Sequence, residues 1–270
     1  MAAIIFSDIL MIPYGLGQKI EFKKGVGPIL GDINLNNIIN TTKIEFTKKL
    51  SPVYEGIKKV KSNLNQKALI GFVGAPWTLL LYMLNKGSPK NNFDFNKINK
   101  EVSINSLLKK IGEMICLHVD KQIKAGANII QIFDSWAGLL PKEELSKYCY
   151  TPISKIVEHI KSKNTPVICF PKGIGESYID FCSIVKPDCI SIDYDIDPQW
   201  IRDKLNGLPI QGGLDPKILL SDKEKIKKSV EYYLNIFKDY PYIFNLGHGV
   251  LPEIKPETIE YIIQLVRNKK

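Results

Sequence analysis

The first ten residues of the chain combine a long apolar run with a single charged side chain, Asp8. A continuous apolar run of this kind is typical of a strand that is buried on both faces, so we predict a strand over residues 2–10. A carboxylate near the end of a buried strand costs free energy unless it is paired or faces a polar cleft. Asp8 is therefore a candidate catalytic or binding residue. The structural alternative is that Asp8, or Ser7 before it, caps the next turn.

Three further polar side chains follow buried segments at places where they could act together with Asp8. His248 lies between two glycines just after an apolar run, and flanking glycines let another group come close. Ser135 also follows a predicted strand. Tyr82 lies four residues after Thr78 and so on the same helix face, although it could also be an ordinary core tyrosine.

The same strand ends carry residues for which a structural explanation stays open. Asp134 and Asp193 could cap helices, and Lys172 could be solvated. The segment Gln211-Gly-Gly213 could be a tight turn with close backbone packing. The two remaining histidines lie inside amphipathic helices and are expected to be structural: His118 and His159.

Motifs for cofactors, metals and nucleophiles do not occur in a convincing form. Gly173-Ile-Gly175 is too short for a dinucleotide fingerprint, and the chain has neither a P-loop nor zinc-ligand spacing backed by a third ligand. A Ser-His-Asp triad could be assembled from Ser135, His248 and Asp8, but Ser135 is not in a G-x-S-x-G elbow. These residues favour general acid/base and electrostatic catalysis, without a cofactor, on a substrate that supplies its own reactivity.

The amino-acid composition limits the classes of protein to which the chain can belong. The 270 residues are 44% hydrophobic, which supports a sizeable core. No apolar run approaches the ~18–20 residues of a membrane span, and no basic region precedes an apolar run as in a signal peptide. The cysteine count is 5, which is odd, and CxxC is absent, so we expect reduced thiols in a cytoplasmic protein.

The net charge of +9 comes almost entirely from lysine. Of the 37 basic residues only Arg202 and Arg267 are arginines, and the lysines are scattered. A lysine-rich composition with a solvated surface explains this better than nucleic-acid binding, although the positive field would favour a polyanionic small substrate.

Apolar strands alternate with amphipathic helices along the whole chain, without a linker or a change in composition. About seven β-then-α units can be counted, and we predict one domain over 1–270. The spacing favours a (β/α)₈ barrel that lacks its first unit, with an open doubly wound sheet as the alternative. The predicted strands after the first are 68–75, 128–133, 166–170, 189–193, 209–212 and 242–246.

Five stretches, in order along the chain, resemble signature segments of the uroporphyrinogen decarboxylase family. Any one of them would be a weak signal, but five in the family's order are highly specific. They span nearly the whole chain and read AAIIFSDIL at 2–10, GFVGAPWT at 71–78, QIFDS at 131–135, QGGLDP at 211–216 and FNLGHGVLP at 244–252.

The resemblance implies a homodimeric, distorted (β/α)₈ barrel that needs no metal or cofactor and works in heme and chlorophyll biosynthesis. It implies removal of the carboxyl group from each of the four acetate side chains of uroporphyrinogen III, giving coproporphyrinogen III. Asp8 matches the carboxylate that binds the pyrrole N–H groups and stabilises a protonated pyrrole. Phe72 matches an apolar wall of the cleft. The polar residues that contact substrate carboxylates are matched by Tyr82, Ser135 and His248.

The chain also departs from the family pattern. The family carries an Arg-Gln-Ala-Gly-Arg stretch and a Leu-Pro-Glu-(Tyr/Phe)-Arg stretch before the strand of Asp8, and these arginines bind substrate carboxylates. This chain has no arginine before Arg202, and Gly213 stands where the family usually has Asn. We expect a sequence truncated at its N-terminus, whose full protein is the enzyme. If the chain is instead natural as written, we expect poor stability and little or no activity.

Two other functions would also be compatible with a fold of this class. An inactive relative that binds tetrapyrroles is one, although the presence of Asp8 argues against it. A corrinoid-dependent methyltransferase of the same superfamily would need a His-x-Cys pair, and Gly247-His-Gly249 offers none.

Overall fold

A computed structural model of the chain describes residues 2–5, 8–23, 27–89, 94–95 and 104–268. Its centre is a sheet of 7 parallel strands, and a 2-stranded antiparallel hairpin lies apart from it. The hairpin consists of β2 (Ile20–Lys23) and β3 (Gly27–Leu30). The strands of the main sheet are β1 (Ala2–Ile4), β4 (Ala68–Gly74), β5 (Ile129–Asp134), β6 (Val167–Pro171), β7 (Cys189–Ile192), β8 (Ile210–Gly212) and β9 (Tyr242–Ile243).

The order of the strands in the main sheet follows their order in the chain, from β1 through β4 to β9. A doubly wound sheet reverses its strand order at a switch point, and this one does not. The predicted barrel-type α/β fold is therefore confirmed, with the seven units expected from the sequence. Within the described part of the chain, β1 and β9 are the two edges of the sheet.

Helices connect the strands. A Pro at the first or second position begins several of them, where its missing N–H costs nothing. The α-helices are α1 (Met11–Gly15), α2 (Leu35–Asn40), α3 (Lys43–Lys49), α4 (Ser51–Asn63), α5 (Pro76–Asn85), α6 (Ile104–Ala125), α7 (Thr151–Lys161), α8 (Tyr178–Val185), α9 (Pro198–Lys204), α10 (Lys223–Ile236) and α11 (Pro256–Asn268).

The first strand differs from the prediction. It ends at Ile4, and residues 9 and 10 form a turn before α1 begins. Ile4 is 50% exposed, so the strand is not buried on both faces. The physical reason is that β1 lies at an edge of the sheet and pairs only with β4. Ser7 lies outside the described residues.

Two predicted helix starts are also shifted. A helix beginning at Pro141 was expected, and helical backbone does follow this residue, but regular α-helix begins only at Thr151. A 3-10 turn at Lys142–Glu144 and a π-helical turn at Ser146–Tyr150 precede it and continue into α7. Pro152 has no N–H to donate to the preceding turn, and the wider π-helical turn lies where that bond is missing. A capping box of Ser221 and Glu224 was expected, but Asp222 is the residue that caps α10. The part of α6 predicted around Ile98 and Val102 lies outside the described residues.

A buried histidine joins α4 to α6. The Nδ1 atom of His118 lies 2.9 Å from the hydroxyl oxygen of Tyr54, and His118 is 2% exposed. Burial disfavours the charged imidazolium and lowers the pKa of His118 to about 3. The predicted structural role of His118 agrees with this geometry.

This burial predicts an acid-sensitive fold. Between pH 6.5 and 3 the unfolded chain binds a proton at His118 that the folded chain does not, so acid favours unfolding. The free energy of unfolding should fall by up to about 1.4 kcal/mol per pH unit below pH 6 through this residue. The His118→Gln variant keeps a polar partner for Tyr54 without the titration. Urea unfolding from pH 7.5 to 5 should therefore show a shallower pH dependence for the variant, and identical slopes would contradict this account.

Candidate functional site

A cleft of about 500 Å³ opens at the carboxyl ends of the parallel strands. This is the end of the sheet at which barrel enzymes place their reactive groups. All five residues proposed from the sequence line it, namely Asp8, Phe72, Tyr82, Ser135 and His248. The other described residues that line it are Ile4, Ile9, Leu10, Pro28, Gln131, Phe133, Phe170, Ser191, Asn245, Leu246, Gly249 and Val250.

Asp8 lies in the turn between β1 and α1. Its Oδ1 accepts a hydrogen bond of 2.8 Å from the backbone N–H of Leu10, and its φ of 71° is one that aspartate tolerates better than most residues. This carboxylate therefore shapes a turn, as the structural alternative expected, and it also lines the cleft, while its catalytic or binding role stays a prediction. Burial raises the pKa of Asp8, and the hydrogen bond from Leu10 partly opposes that rise.

His248 lies in the loop after β9 and also lines the cleft. The backbone N–H of Gly249 lies 2.7 Å from its Nδ1, so in the neutral ring Nδ1 accepts and Nε2 carries the proton. Burial and the positive charge of Lys172 lower the pKa of His248, while Asp193 acts in the opposite direction. The lowered pKa favours the neutral ring, which offers an N–H donor at Nε2.

The glycine before His248 is required by packing. A Cβ at Gly247 would lie 2.6 Å from the backbone nitrogen of Tyr194. The close approach expected from the flanking glycines is therefore that of the loop after β7. At Gly249 a Cβ would meet no atom within 4 Å.

Aromatic side chains from three neighbouring strands form the apolar wall of the cleft. Phe72 of β4 lies edge-on to Phe133 of β5, with centroids 5.8 Å apart, and Phe133 lies edge-on to Phe170 of β6 at 6.1 Å. Below them a buried polar layer contains Gln131 and Ser191. Such a wall suits a flat, largely apolar ligand body.

A buried carboxylate fixes the loop that carries Ser135. Asp134 accepts a 2.6 Å hydrogen bond from the hydroxyl of Thr78, and that hydroxyl accepts a 3.1 Å bond from the backbone N–H of Trp136. Burial raises the pKa of Asp134 to about 6, against the effect of hydrogen bonds from Thr78 and Cys149. Asp134 ties β5 to α5, where it also accepts a hydrogen bond from the backbone N–H of Thr78 in the first turn of that helix.

Asp193 performs the same task for the loop after β6. Its Oδ2 accepts from the backbone N–H of Gly173 at 2.7 Å and from the hydroxyl of Tyr178 at 3.0 Å. Its Oδ1 accepts from the N–H of Asp195 at 3.0 Å, while Asp197 caps the following helix. The alternative that Asp193 is a helix cap is therefore wrong.

Packing explains why glycine stands at 213, where the pattern described above usually has asparagine. A Cβ at this residue would lie 2.7 Å from the ring of Tyr233, whose hydroxyl donates a 2.6 Å hydrogen bond to the carbonyl of Gly213. The φ of 103° also favours glycine. Tyr233 occupies the space that an asparagine side chain would need. The close backbone packing expected for 211–213 occurs at Gly212, where a Cβ would lie 3.0 Å from the carbonyl oxygen of Ile192.

Several residues of the cleft were not proposed from the sequence. Gln131 and Phe133 have the same parity as Ser135 on β5, so alternation along the strand could have placed them on one face. No comparable signal exists for Pro28 or Val250, which reach the cleft from the hairpin and from the loop after β9.

No group of three or more His, Cys, Asp or Glu side chains in the described ranges of the chain could hold a metal ion. Within the same ranges, no helix is long and apolar enough to cross a membrane.

Comparisons with known proteins agree on one family. The family model described as "Uroporphyrinogen decarboxylase (URO-D)" matches residues 2–269. A uroporphyrinogen decarboxylase from Rickettsia bellii is 42% identical, over 98% of this chain and 80% of the relative. One from Rickettsia africae is 40% identical, over 98% of this chain and 78% of the relative.

Solved structures support the fold. A methyltransferase from Methanosarcina mazei superposes with a TM-score of 0.80 at 15% identity, covering 99% of this chain and 80% of that one. A B12-independent methionine synthase from Shewanella superposes with a TM-score of 0.56 at 11% identity, covering 94% and 75%. At these identities the likeness concerns the fold alone.

Proposed function

The chain belongs to the uroporphyrinogen decarboxylase family, and we propose that the cleft around Asp8 is where it binds and decarboxylates its substrate. The chain is a carboxy-lyase of tetrapyrrole biosynthesis, as predicted from the sequence. The observation that carries the assignment of the site is a half-buried carboxylate, Asp8, which is the only acidic side chain among the described residues lining an apolar cleft.

Asp8 stabilises the positive charge that the reaction needs. When a pyrrole ring of uroporphyrinogen is protonated, it accepts the electron pair of the carbon–carbon bond that breaks as CO₂ leaves. A proton then replaces the lost carboxyl group, so that an acetate becomes a methyl. A carboxylate that burial makes unfavourable on its own is stabilised by a cationic ring and by pyrrole N–H donors.

Tyr82, Ser135 and His248 bind the substrate's carboxylates. Each offers an O–H or N–H donor at the rim of the cleft, and the Nε2–H of His248 is available because Nδ1 is occupied by Gly249. Phe72 packs against the apolar face of the macrocycle. Charge-assisted hydrogen bonds of this kind contribute about 1.5–3 kcal/mol each.

We further propose that two copies of the chain associate and that the protein works in the cytoplasm. The homodimer follows from the resemblance to the family, and sedimentation equilibrium tests it. The compartment follows from cysteine chemistry, because all five cysteines, Cys116, Cys149, Cys169, Cys182 and Cys189, are free thiols.

The function is tested by an anaerobic assay with uroporphyrinogen III, in which products are separated by their number of carboxyl groups. We expect stepwise loss of carboxyl groups, ending at coproporphyrinogen III. Binding of uroporphyrinogen without turnover would instead favour the inactive tetrapyrrole-binding relative. No binding and no turnover would overturn the proposed function.

A further inference from the structure

The cleft lacks a cation among the described residues that line it. Its one charged side chain is Asp8, and its remaining polar groups are neutral. Uroporphyrinogen carries several carboxylates, and binding it next to a carboxylate requires positive charge nearby. Neither arginine of the chain lines the cleft, since Arg202 belongs to α9 and Arg267 to α11.

Lys172 is held next to this cleft by its backbone. It follows the last residue of β6, and its N–H donates a 3.1 Å bond to the carbonyl of Asp134. Its own carbonyl accepts a 2.9 Å bond from the N–H of Gly138. Lys172 is thus fixed between the strand that carries Phe170 and the loop that carries Ser135.

Lys172 lies one residue beyond β6 at the end of the sheet where the cleft opens, although it is not itself one of the lining residues. Phe170, two residues earlier on the same strand, lines the cleft, and alternate residues of a strand share a face. Lys172 is also close enough to His248 for its positive charge to contribute to lowering the pKa of that imidazole. Lys172 is half-buried rather than fully solvated.

No acidic group neutralises Lys172. It forms no salt bridge with any residue in the described ranges, in contrast to Lys161, which pairs with Asp188 at 2.9 Å. The buried carboxylate of Asp193 is already engaged by Gly173, Tyr178 and Asp195. Asp193 therefore fixes the backbone beside Lys172 and leaves its ammonium group available.

We propose that Lys172 binds a carboxylate of the tetrapyrrole substrate at the mouth of the cleft, between Ser135 and His248. This proposal rests on the proposed function and adds to it the positively charged group of the site. Asp193 acts as its positioning residue. A lysine in this place binds a carboxylate as a point charge and so tolerates the different side chains that a rotating macrocycle presents.

The test compares Lys172→Met, which keeps length and removes charge, with Lys172→Arg, which keeps charge. Lys155→Met, on the exposed face of α7, is the matched control for the loss of one positive charge. Affinity for uroporphyrin III, the stable oxidised macrocycle, is measured by fluorescence quenching, and KM and kcat by the anaerobic assay. NMR titration of His248 gives a readout that is independent of turnover.

We expect Lys172→Met to bind uroporphyrin III about 10- to 100-fold more weakly, the loss expected for one charge-assisted hydrogen bond. KM should rise by a similar factor with a smaller change in kcat. Lys172→Arg and Lys155→Met should stay within about 3-fold of the wild type. The pKa of His248 should rise in Lys172→Met alone, because a neighbouring positive charge is lost.

The outcomes separate this proposal from the proposed function. If the wild type binds and decarboxylates while Lys172→Met matches Lys155→Met, the role of Lys172 is overturned and the function stands. If the wild type neither binds uroporphyrin III nor decarboxylates uroporphyrinogen III, both the proposed function and the role of Lys172 are overturned. Should Lys172→Met fail to fold, Lys172→Gln replaces it, and normal affinity in that variant also overturns the role.

Discussion

Replacing Asp8 with asparagine is expected to lower kcat about 1,000-fold while leaving the fold intact. The asparagine side chain still accepts the hydrogen bond from Leu10 and tolerates the left-handed backbone at this position, whose φ is 71°. What it loses is the negative charge that stabilises a protonated pyrrole. Removing one preorganised electrostatic partner of a transition state costs about 100- to 1,000-fold in kcat.

Asp239→Asn is the matched control, because it makes the same chemical change at an exposed position outside the cleft. The control should retain the wild-type rate, and both variants should unfold at wild-type urea concentrations. Asp8→Ala should be equally inactive and also less stable by about 1 kcal/mol, since it loses the turn as well. A rate for Asp8→Asn within a factor of ten of the wild type would remove Asp8 from the mechanism.

The Gly138→Ala substitution is expected to destabilise the protein by about 3 kcal/mol and to lower kcat/KM at least 10-fold. A Cβ at this residue would lie 2.5 Å from the carbonyl oxygen of Gly173. The obstacle is backbone, so rotating a side chain cannot relieve it. The two loops that must separate are those that carry Ser135 and Lys172.

Gly112→Ala provides the control for this substitution. Gly112 lies within α6, and a Cβ there meets no atom within 4 Å. This variant should be as stable as the wild type or up to about 1 kcal/mol more stable, because alanine favours the helix. Urea unfolding and the anaerobic assay measure both variants. Equal stabilities for Gly138→Ala and Gly112→Ala would show that the two loops do not pack as described.

The central strands could be predicted well from the sequence because strands that are buried on both faces consist of uninterrupted apolar residues. The strand that precedes Pro76 was placed to within one residue at each end, as β4 covers Ala68–Gly74. At the edge of the sheet the same rule failed, because apolarity at 2–10 reflects a short strand followed by a cleft-lining turn. The local sequence pattern does not distinguish a long buried strand from a short strand followed by an apolar turn.

The side chains that line the candidate site could be predicted from the sequence, but the hydrogen bonds that hold their loops in place could not. Asp8, Ser135 and His248 were proposed from their places after apolar runs, and all three line one cleft. The hydrogen bonds of Asp134 and Asp193 connect loops far apart in the chain, so nothing local signals them. The cap at Asp222 was missed because Ser221 beside it has an equally suitable side chain.

The central claim, that Asp8 meets the centre of the macrocycle, is tested most directly by a crystal structure of the chain with coproporphyrinogen III, grown anaerobically. We predict Asp8 carboxylate oxygens within about 3 Å of the pyrrole nitrogens, the distance of an N–H···O hydrogen bond. The macrocycle should stack on the wall that includes Phe72. A product bound outside this cleft, or a macrocycle whose nitrogens face away from Asp8, would contradict the account.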